Sequence, residues 1–509
     1  MTSPLPAFVR FWARRKPDAD AVIFPAQRLS WAELNRSTDE LATGMRRHYG
    51  VAPGDRVVLS MDNCPEYIEA AIAILKLGAI VVPVNNRWTA AESVPAVEAV
   101  SPSLIVCDAR YGARLEPVIG TIPAVSRAAD GIGGALENIR GQADASAMVN
   151  PAVEDPAVIC FTSGTTGVSK GAVMSHGGLA SAGLARMVSA GLSHEDRVLL
   201  PISLSLTAGL TSTYLSLVMV GGMTIVVTDS FDPDRTLALV RHERVTLMNM
   251  GAPVLDLLVN QPGFASLDIR PLRTINTGGT PIKAATVEAF LAKGVAVIQN
   301  FAQTESASCG TSLGVAYAAS KAGTVGLPEL FMDMKIVDEH DQEVAAGEPG
   351  EILLRGPQIM TGYWNQPQAS AETLRDGWLH TGDVGSVDED GFLRVLDRLK
   401  DMLISGGLNV YSAEVERVLA GCPGVTEIAV IGVPDDRWDE VPLAVVRGGE
   451  SFDPGQLRKL AERDLADYKR PKYLVQVDEA LPRNASGKVM KPLLRQRWPQ
   501  APADACVLK

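Results

Sequence analysis

The sequence has few features of a secreted, metal-structured or nucleic-acid-binding protein. Its six cysteines are far apart, with no CxxC spacing and no cysteine–histidine cluster, so neither a disulfide framework nor a zinc site is predicted. Aromatic residues make up only 5% of the chain, which argues against a stacking or lectin-type surface. The formal charge of -12 disfavours nucleic acid and anionic membranes as partners, because both select basic surfaces.

Signals for export or for membrane insertion are also weak. The first sixteen residues contain no apolar run of signal-peptide length, so a cytoplasmic location is expected. An uncharged stretch covers residues 198 to 228, but serine, threonine and glycine interrupt it. We therefore predict that this stretch is buried core and a candidate pocket wall, not a membrane span.

Length and pattern predict at least two domains. A single core stops growing at roughly 250 to 300 residues, and the chain has 509. Short β-rich runs alternate with helical patterns through most of the chain, which is typical of doubly wound α/β sheets. A helix is predicted over 66–77 and another over 281–293, with Pro281 at its first position. Strands are predicted over 56–60, 80–84, 104–107, 158–161, 224–227, 246–250, 274–277 and 295–299.

After Gly391 the units become shorter, which indicates a small α+β domain. Its predicted helices cover 412–419 and 454–463, and its predicted strands cover 428–432 and 442–447. We predict a large domain over 1–397, a joint at 398–400 and a small domain over 401–509. From the residues alone, the charged joint DRLKD at 397–401 is either a solvated turn or a hinge.

A glycine- and threonine-rich run, TSGTTGVSKG at 162–171, directly follows the predicted strand AVICF. Ligands of α/β sheets bind at the carboxyl ends of strands, and glycines allow backbone N–H groups to converge on one anion. The alternative is an ordinary polar surface loop, and the spacing does not match GxxxxGK[ST]. The run predicts a phosphate site whose candidate ligands are Thr162, Ser163, Gly164, Thr165, Thr166 and Lys170.

Five further motifs recur in a fixed order: TGGTP at 277–281, NFAQTE at 300–305, TGD at 381–383, DRLKD at 397–401 and PRNASGK at 482–488. Together with the glycine-rich run, they resemble the adenylate-forming superfamily. That superfamily includes acyl-CoA synthetases, beetle luciferases and the adenylation domains of peptide synthetases. Since the motifs span nearly the whole chain, the resemblance covers both predicted domains.

The resemblance implies an acid:CoA ligase that uses ATP, Mg²⁺ and coenzyme A. Thr304 resembles the residue that touches the α-phosphate, Glu305 the one that holds Mg²⁺, and Lys488 the lysine that enters the site for adenylation. Mg²⁺ prefers one or two carboxylates together with phosphate oxygens. The implied adenosine contacts are Gly278, Gly279, Thr280, Asn300, Phe301, Ala302, Asp383 and Arg398.

The same resemblance implies that the small domain is mobile and rotates between two half-reactions. Lys400 occupies the hinge position, which favours a hinge over a plain turn. Rotation would exchange the Lys488 loop for the face of Gly406 and Gly407, which opens a tunnel for the thiol of coenzyme A. Adjacent glycines permit a close approach of backbone to a ligand.

The acyl side departs from the family pattern. LSLTAG stands where LFHxxG is usual, so Ser205 and Leu206 replace an aromatic residue and a histidine, and Ala302 replaces a glycine. Two hypotheses follow: the pocket is reshaped for an unusual, bulky acid, or adenylation is weak and a separate enzyme supplies the acyl-adenylate. The candidate acyl-pocket residues are Ser205, Leu206, Thr207, Gly209 and Ala302.

Other functions share the motifs. A luciferase-type oxygenase, a domain that loads a carrier protein and a non-enzymatic nucleotide-binding module are the alternatives. No charged residue lies between 204 and 213, which argues against a dicarboxylic substrate. The expected partners are a carboxylic acid or its adenylate and coenzyme A, without nucleic acid or membrane. A homodimer is left open by the sequence.

Overall fold

A computed structural model describes residues 3–128, 134–162, 169–280, 282–483 and 487–508. The α-helices in chain order are α1 (Leu5–Arg15), α2 (Trp31–Tyr49), α3 (Pro65–Lys76), α4 (Ala90–Val100), α5 (Ala109–Gly112), α6 (Glu116–Ile119), α7 (His176–Ala190), α8 (Met219–Gly221), α9 (Pro233–His242), α10 (Ala252–Val259), α11 (Ala284–Leu291), α12 (Pro367–Thr373), α13 (Ser412–Leu419), α14 (Pro454–Asp464) and α15 (Lys491–Arg497). A π-helix covers Thr207–Val218.

The strands alternate with these helices. In chain order they are β1 (Asp20–Phe24), β2 (Gln27–Ser30), β3 (Arg56–Ser60), β4 (Ile80–Pro83), β5 (Leu104–Cys107), β6 (Ala124–Ser126), β7 (Gly134–Ala135), β8 (Pro156–Thr162), β9 (Lys170–Ser175), β10 (Arg197–Leu200), β11 (Thr224–Val227), β12 (Leu247–Asn249), β13 (Thr274–Gly278), β14 (Ala296–Phe301), β15 (Thr311–Ser312), β16 (Leu327–Pro328), β17 (Asp333–Val337), β18 (Gly350–Arg355), β19 (Gly362–Tyr363), β20 (Leu374–Arg375), β21 (Trp378–Val387), β22 (Leu393–Arg398), β23 (Leu403–Ser405), β24 (Leu408–Val410), β25 (Val425–Asp435), β26 (Asp439–Gly448), β27 (Tyr473–Val477) and β28 (Cys506–Val507).

Two largely parallel sheets confirm the predicted α/β class. One has the order β16-β15-β14-β13-β12-β10-β11-β1-β2, and the other has the order β19-β9-β8-β4-β3-β5-β6-β7. β10, β12, β13 and β14 pair in parallel with one another in that order, and β14 pairs antiparallel with β15. β8 pairs in parallel with β4 and antiparallel with β9, so the glycine-rich run follows a sheet strand, as predicted.

The remaining strands form two smaller sheets. One has the order β17-β18-β21-β20 with β22 beside β21; the other has the order β24-β23-β26-β27-β28 with β25 beside β26. The chain divides into two compact units. The first contains residues 1–334, 354–380 and 391–393; the second contains 335–353, 381–390 and 394–509. The second unit includes the α+β region that the pattern after Gly391 predicts.

Local sequence explains where several elements begin and end. The Ser30 hydroxyl accepts a hydrogen bond from the Glu33 N–H, and the Glu33 carboxylate accepts one from the Ser30 N–H; this capping box starts α2. Gly50, with φ 68°, ends that helix in a left-handed conformation. Several predicted boundaries differ from those in the structure, and the start of one helix is wrong: α11 begins at Ala284, and Pro281 itself lies outside the described residues.

The uncharged stretch 198–228 is buried core, as predicted. It contains β10, the π-helix and β11, and residues 210–218 of the π-helix are buried. Along the described part of the chain, no helix is long and apolar enough to cross a membrane. α7 packs against the π-helix at Gly183, where any added Cβ would collide with the carbonyl oxygen of Ser216.

Candidate active site

The strands that flank the glycine-rich run bring its two ends together. Thr162 and Lys170 are paired across β8 and β9, and the Thr162 hydroxyl donates to the Lys170 carbonyl at 3.4 Å. The predicted phosphate ligands Ser163, Gly164, Thr165 and Thr166 lie outside the described residues. The structure therefore places Thr162 and Lys170 at the base of this loop, and the role of the loop stays a prediction.

Glu305 and Lys170 meet at the same tyrosine. The Tyr363 hydroxyl donates to Glu305 Oε1 at 2.8 Å, and Lys170 Nζ lies 5.0 Å from the centre of the Tyr363 ring. The Met360 N–H donates to the Glu305 carbonyl at 2.7 Å. Partial burial, and then the Glu305 charge, raise the pKa of Tyr363, so this hydroxyl stays protonated and acts as a donor.

Thr304 lies beside the acyl-side residues. Its hydroxyl oxygen is 3.4 Å from that of Thr207, the first residue of the π-helix. The short 3₁₀ turn Thr304–Ser306 packs against β8 and β9, which flank the glycine-rich run. Thus Thr304, Glu305, Lys170 and Thr207, which are far apart in sequence, occupy one region of the first unit.

A buried thiol borders this region. The Cys160 sulfur is 3.1 Å from the Thr211 hydroxyl of the π-helix. Burial raises the pKa of Cys160 to about 11, while hydrogen bonds with Thr211 and Thr207 act in the opposite direction. The thiol is therefore neutral near pH 7, and it is a packing group and weak hydrogen-bond partner, not a nucleophile.

The other predicted acyl-pocket residues form the turn before the π-helix. Ser205 is buried, and its hydroxyl contacts Asn86, accepting from the N–H at 3.2 Å and donating to Oδ1 at 3.1 Å. Leu206 is the N-cap residue of the π-helix and is partly exposed. A Cβ at Gly209 would collide with the Ser203 carbonyl, so this tight turn requires glycine.

Ala302, the other departure from the family pattern, causes no local backbone strain. It does not adopt a positive φ, so an alanine fits its backbone conformation without a steric penalty. It is partly buried directly after β14. The predicted consequence of its methyl group therefore concerns ligand approach only.

The predicted adenine contacts occupy the adjacent ends of β13 and β14. Gly278 is paired with Asn300, and a Cβ at Gly278 would lie 2.9 Å from the Asn300 carbonyl oxygen. Gly279 has φ 81°, and Thr280 beside it is exposed. Phe301 is 7% exposed, so most of its ring is buried and only a small part is open to stacking.

Two polar atoms in this region lack partners. Thr277 Oγ1 and Asn300 Oδ1 are buried and find no hydrogen-bond partner among the residues that the structure describes. Buried polar atoms are normally paired, and an unpaired one is a candidate contact for a bound group. An amide oxygen is a suitable acceptor for an exocyclic amino group, which fits the adenine role predicted for Asn300.

The second unit brings together the predicted ribose contacts. Arg398 Nε lies 3.3 Å from Asp383 Oδ1, and the Thr381 hydroxyl accepts from the Asp383 N–H at 3.1 Å. Lys400, the predicted hinge residue, is exposed two positions later. Asp383 and Arg398 are thus neighbours, as one shared ribose site requires.

The predicted tunnel glycines have the backbone that glycine allows. Gly406 has φ 58° and Gly407 has φ 79°. A Cβ at Gly406 would lie 2.6 Å from Cε3 of Trp438, whose carbonyl accepts from the Gly406 N–H. Lys488 is exposed and follows Gly487, which has φ 83°.

Tyr363 and Trp438 belong to these clusters but were not predicted from the sequence. Tyr363 reaches Glu305 because β19 pairs with β9 across about 190 residues of chain, with Tyr363 opposite Ala172. Trp438 reaches Gly406 through the pairing of β23 with β26. No local motif predicts either contact, because both depend on the register of strands that are far apart in sequence.

The single predicted carboxylate ligand, Glu305, suits a metal ion that is held mainly by the substrate. Within the described ranges, no group of three or more His, Cys, Asp and Glu side chains could hold a metal ion. Glu305 is the single predicted protein ligand, partly exposed beside Lys170 and Thr304. Mg²⁺ typically binds one or two carboxylates plus phosphate oxygens and water, so Glu305 fits such an ion.

Comparison with known proteins agrees with the class that this fold and site define, the adenylate-forming enzymes. Residues 9–364 match the AMP-binding enzyme family and residues 414–488 match the AMP-binding enzyme C-terminal domain. The chain belongs to the AMP-binding enzyme family.

Several relatives are CoA ligases. A feruloyl-CoA synthase from Amycolatopsis sp is 38% identical over 96% of this chain and 97% of its own length. The long-chain-fatty-acid–CoA ligase FadD13 of Mycobacterium tuberculosis is 35% identical over 95% and 96%.

Several solved structures similar to this chain are also CoA synthetases. The o-succinylbenzoate CoA synthetase of Bacillus subtilis, in complex with its acyl-adenylate intermediate, has a TM-score of 0.88 at 28% identity and covers 97% of this chain and 98% of its own. The same enzyme in complex with ATP and a magnesium ion gives 0.87 at 28% identity, covering 97% and 100%. The expectation of an acid–thiol ligase that acts through an acyl-adenylate is confirmed.

Proposed function

We propose that this ligase converts an aromatic or aryl-aliphatic monocarboxylic acid, ATP and coenzyme A into an acyl-CoA, AMP and pyrophosphate. The observation that carries the proposal is the convergence of Lys170, Glu305, Thr304 and Thr207 in the first unit. These side chains supply a cation, a metal-binding carboxylate and two hydroxyls, which are the groups that adenylation of a carboxylate needs.

In the first half-reaction, a carboxylate oxygen attacks the α-phosphorus of ATP, the new C–O–P linkage forms and pyrophosphate leaves. Thr304 donates to an α-phosphate oxygen, and Lys170 lies at the base of the loop that binds the outer phosphates. Glu305 would hold Mg²⁺, which neutralises phosphate charge when bound. Lys488 adds a positive charge where negative charge builds up, and such electrostatic stabilisation is usually the largest catalytic contribution.

In the second half-reaction, the thiol of coenzyme A attacks the acyl carbon and AMP leaves. We propose that rotation about Lys400 replaces the Lys488 loop by the face of Gly406 and Gly407. The positive φ of both glycines and the absence of any described atom within 4 Å of a Cβ built at Gly407 support a backbone that a thiol arm can approach. Asp383 and Arg398 bind the ribose throughout.

The acyl side favours an acid with an uncharged tail. The wall residues Ser205, Leu206, Thr207 and Gly209 carry no charge, and the π-helix that follows is also uncharged. The feruloyl group, named for one relative, is aromatic and has no second carboxylate. A second carboxylate on the tail would have no described cation among the wall residues, and burying an unpaired charge is costly.

The alternative of a ligase with weak adenylation rests on Leu206 and Ala302. Leu206 cannot donate the hydrogen bond of the usual histidine, but the Thr207 hydroxyl lies 3.4 Å from that of Thr304 and can donate there. We therefore propose that adenylation is retained, with Thr207 as the polar neighbour of the reacting carboxylate. The weak-adenylation hypothesis becomes one outcome of the test.

The test separates the half-reactions. Purified protein receives either acid plus ATP, followed by pyrophosphate release, or synthetic acyl-adenylate plus coenzyme A, followed by thioester formation. Aryl-propenoates and aryl-acetates are compared with fatty acids and dicarboxylates. We expect both half-reactions, with kcat/KM for aromatic monocarboxylates at least about tenfold above that for dicarboxylates. Thioester from the adenylate alone would establish the weak-adenylation alternative.

Lys488→Ala tests the assignment of the lysine. We expect pyrophosphate release to fall by about 10²- to 10³-fold, because a charge that acts in the transition state is lost. Thioester formation from supplied adenylate should stay near the wild-type rate. Lys459→Ala, an exposed lysine on α14, is the matched control. Equal loss of both half-reactions would contradict the role of Lys488.

A further inference from the structure

The helix that follows the Lys488 loop carries two cations on one face. α15 begins at Lys491, three residues after Lys488. Lys491 and Arg495 are four residues apart, so their side chains lie on the same side of the helix. Both belong to the second unit. Arg495 contacts the segment 397–401, which contains the predicted hinge, directly, and Lys491 is linked to it through Ser412.

Lys491 reaches this segment through a serine. Its Nζ donates to the Ser412 hydroxyl at 2.6 Å, and that hydroxyl donates to Asp397 Oδ2 at 2.7 Å. Glu416 Oε1 also pairs with Lys491 Nζ at 2.7 Å. Asp397 is 7% exposed and Lys491 is 8% exposed, so both charges are buried and their geometry is fixed by these bonds.

Arg495 reaches the other end of the same segment. Its Nη2 lies 2.9 Å from Asp401 Oδ1. Asp397 and Asp401 bracket the predicted hinge residues 398–400. α15 is therefore connected to the chain on both sides of the hinge. The connection to Asp397 passes through Ser412, and the connection to Asp401 is direct.

Stability alone is a weak reason for such an arrangement. Burying an ion pair costs desolvation that its Coulomb energy often fails to recover, whereas buried polar contacts fix one geometry among several. The hydroxyl of Ser412 connects Lys491 with Asp397. The link therefore depends on the Ser412 hydroxyl, which alanine lacks.

We propose that Ser412 and Arg495 are positioning residues for adenylation. They set the Lys488 loop relative to the hinge, so that the conformation of residues 398–400 determines where Lys488 is presented. This inference rests on the proposed roles of Lys488 and of the hinge. Neither residue needs to touch a substrate, and both act through the start of α15.

The experiment compares Ser412→Ala and Arg495→Met with Arg497→Met. Arg497 is a matched control because it lies on α15 and pairs with Glu479, away from the hinge. We expect pyrophosphate release to fall by about tenfold in both test variants, a moderate effect compared with direct loss of a catalytic charge. Thioester formation from supplied adenylate and the control variant should stay within about twofold of wild type.

Two further measurements keep the result interpretable. Hydrogen exchange of a peptide covering residues 487–490 should become faster in Ser412→Ala and Arg495→Met but not in Arg497→Met. The double variant Arg495→Met/Asp401→Asn should be no slower in adenylation than the worse single variant, because both remove one contact. Unchanged exchange and adenylation in the test variants, or equal loss of both half-reactions, would overturn the proposal.

Failure of the proposed function is distinguishable from failure of this inference. If Lys488→Ala loses adenylation while Ser412→Ala and Arg495→Met do not, the lysine role stands and the positioning role is wrong. If Lys488→Ala keeps adenylation, the lysine assignment fails, and with it any positioning of Lys488 for that step. The exchange measurement reports the structural link without requiring a substrate.

Discussion

At the scale of single residues, the candidate site depends on side chains that local motifs do not identify. Glu305 was predictable because it belongs to NFAQTE, whereas its hydrogen-bond donor Tyr363 belongs to the distant segment TGYWN. Lys170 Nζ lies 5.0 Å from the centre of the same tyrosine ring. One aromatic side chain therefore connects the proposed metal ligand with the base of the proposed phosphate loop.

Tyr363→Phe should weaken the apparent affinity for Mg²⁺ without removing the ring. The variant keeps the surface under Lys170 but leaves Glu305 Oε1 without this donor, so the carboxylate is less well oriented. Loss of a side chain that hydrogen-bonds to a metal ligand typically lowers metal affinity by about 10- to 100-fold. We therefore expect the Mg²⁺ concentration for half-maximal adenylation to rise by about tenfold. The measurement is pyrophosphate release at varied Mg²⁺.

Tyr317→Phe is the matched control, because its ring packs at 5.0 Å against Phe392 and lies outside the site cluster. An unchanged Mg²⁺ dependence in Tyr363→Phe would show that the hydroxyl does not orient Glu305. If the rate falls by the same factor at every Mg²⁺ concentration and the half-maximal concentration is unchanged, the hydroxyl has a packing role.

At the scale of elements, the candidate acyl wall is built on an unusual helix. The π-helix Thr207–Val218 begins at Thr207 and packs against α7. The Ser175 hydroxyl accepts from the Gly178 N–H at 3.0 Å and caps α7 at its first turn. Close approach of the two helices at Gly183 fixes the wall relative to β8 and β9.

Gly183→Ala should destabilise the first unit. The added methyl group would meet the Ser216 carbonyl oxygen, so the helices must separate or the π-helix must shift. Overpacking of this kind typically costs about 1 to 3 kcal/mol, and we expect a lower thermal midpoint together with reduced adenylation. Gly120→Ala is the control, since a Cβ at Gly120 meets no described atom within 4 Å. Equal midpoints for the two variants would contradict this packing argument.

Element types were predictable where pattern and caps agree. β3, β5, β11 and α13 have the predicted bounds, because buried β-branched runs and one amphipathic turn specify them locally. α11 was predicted from Pro281 but begins at Ala284. The π-helix was predicted only as part of the buried, uncharged stretch 198–228, since an apolar run on every face carries no period that separates π from α geometry.

At the scale of the whole molecule, the order of the motifs predicts their roles, but only the fold shows which of them meet. Thr304 and Thr207 are brought together because β14 and the π-helix belong to one unit, and Asp397 meets Lys491 through Ser412 in the other. Ser412 was predicted only as the start of a helix. Its importance depends on two partners 15 and 79 residues away, which no local pattern records.

A buried histidine makes the stability of the whole molecule depend on pH. His176, the first residue of α7, is fully buried, and neither ring nitrogen has a hydrogen-bond partner in the described part of the chain. Burial lowers its pKa from 6.5 to about 4, against a smaller opposite effect of Asp155. Between these values the unfolded chain binds a proton that the folded chain does not, so stability must rise with pH.

We therefore expect His176 to remove about 2 kcal/mol of stability between pH 7.5 and pH 5.0. Urea unfolding of wild type and His176→Leu at the two pH values measures this, because leucine cannot titrate and the variant should lose that part of the pH dependence. His176→Gln provides a second non-titrating variant of different polarity. If both variants lose as much stability as wild type on acidification, carboxylates elsewhere control the pH dependence. In that case His176 is either protonated in the folded state or reached by water through local opening of the structure.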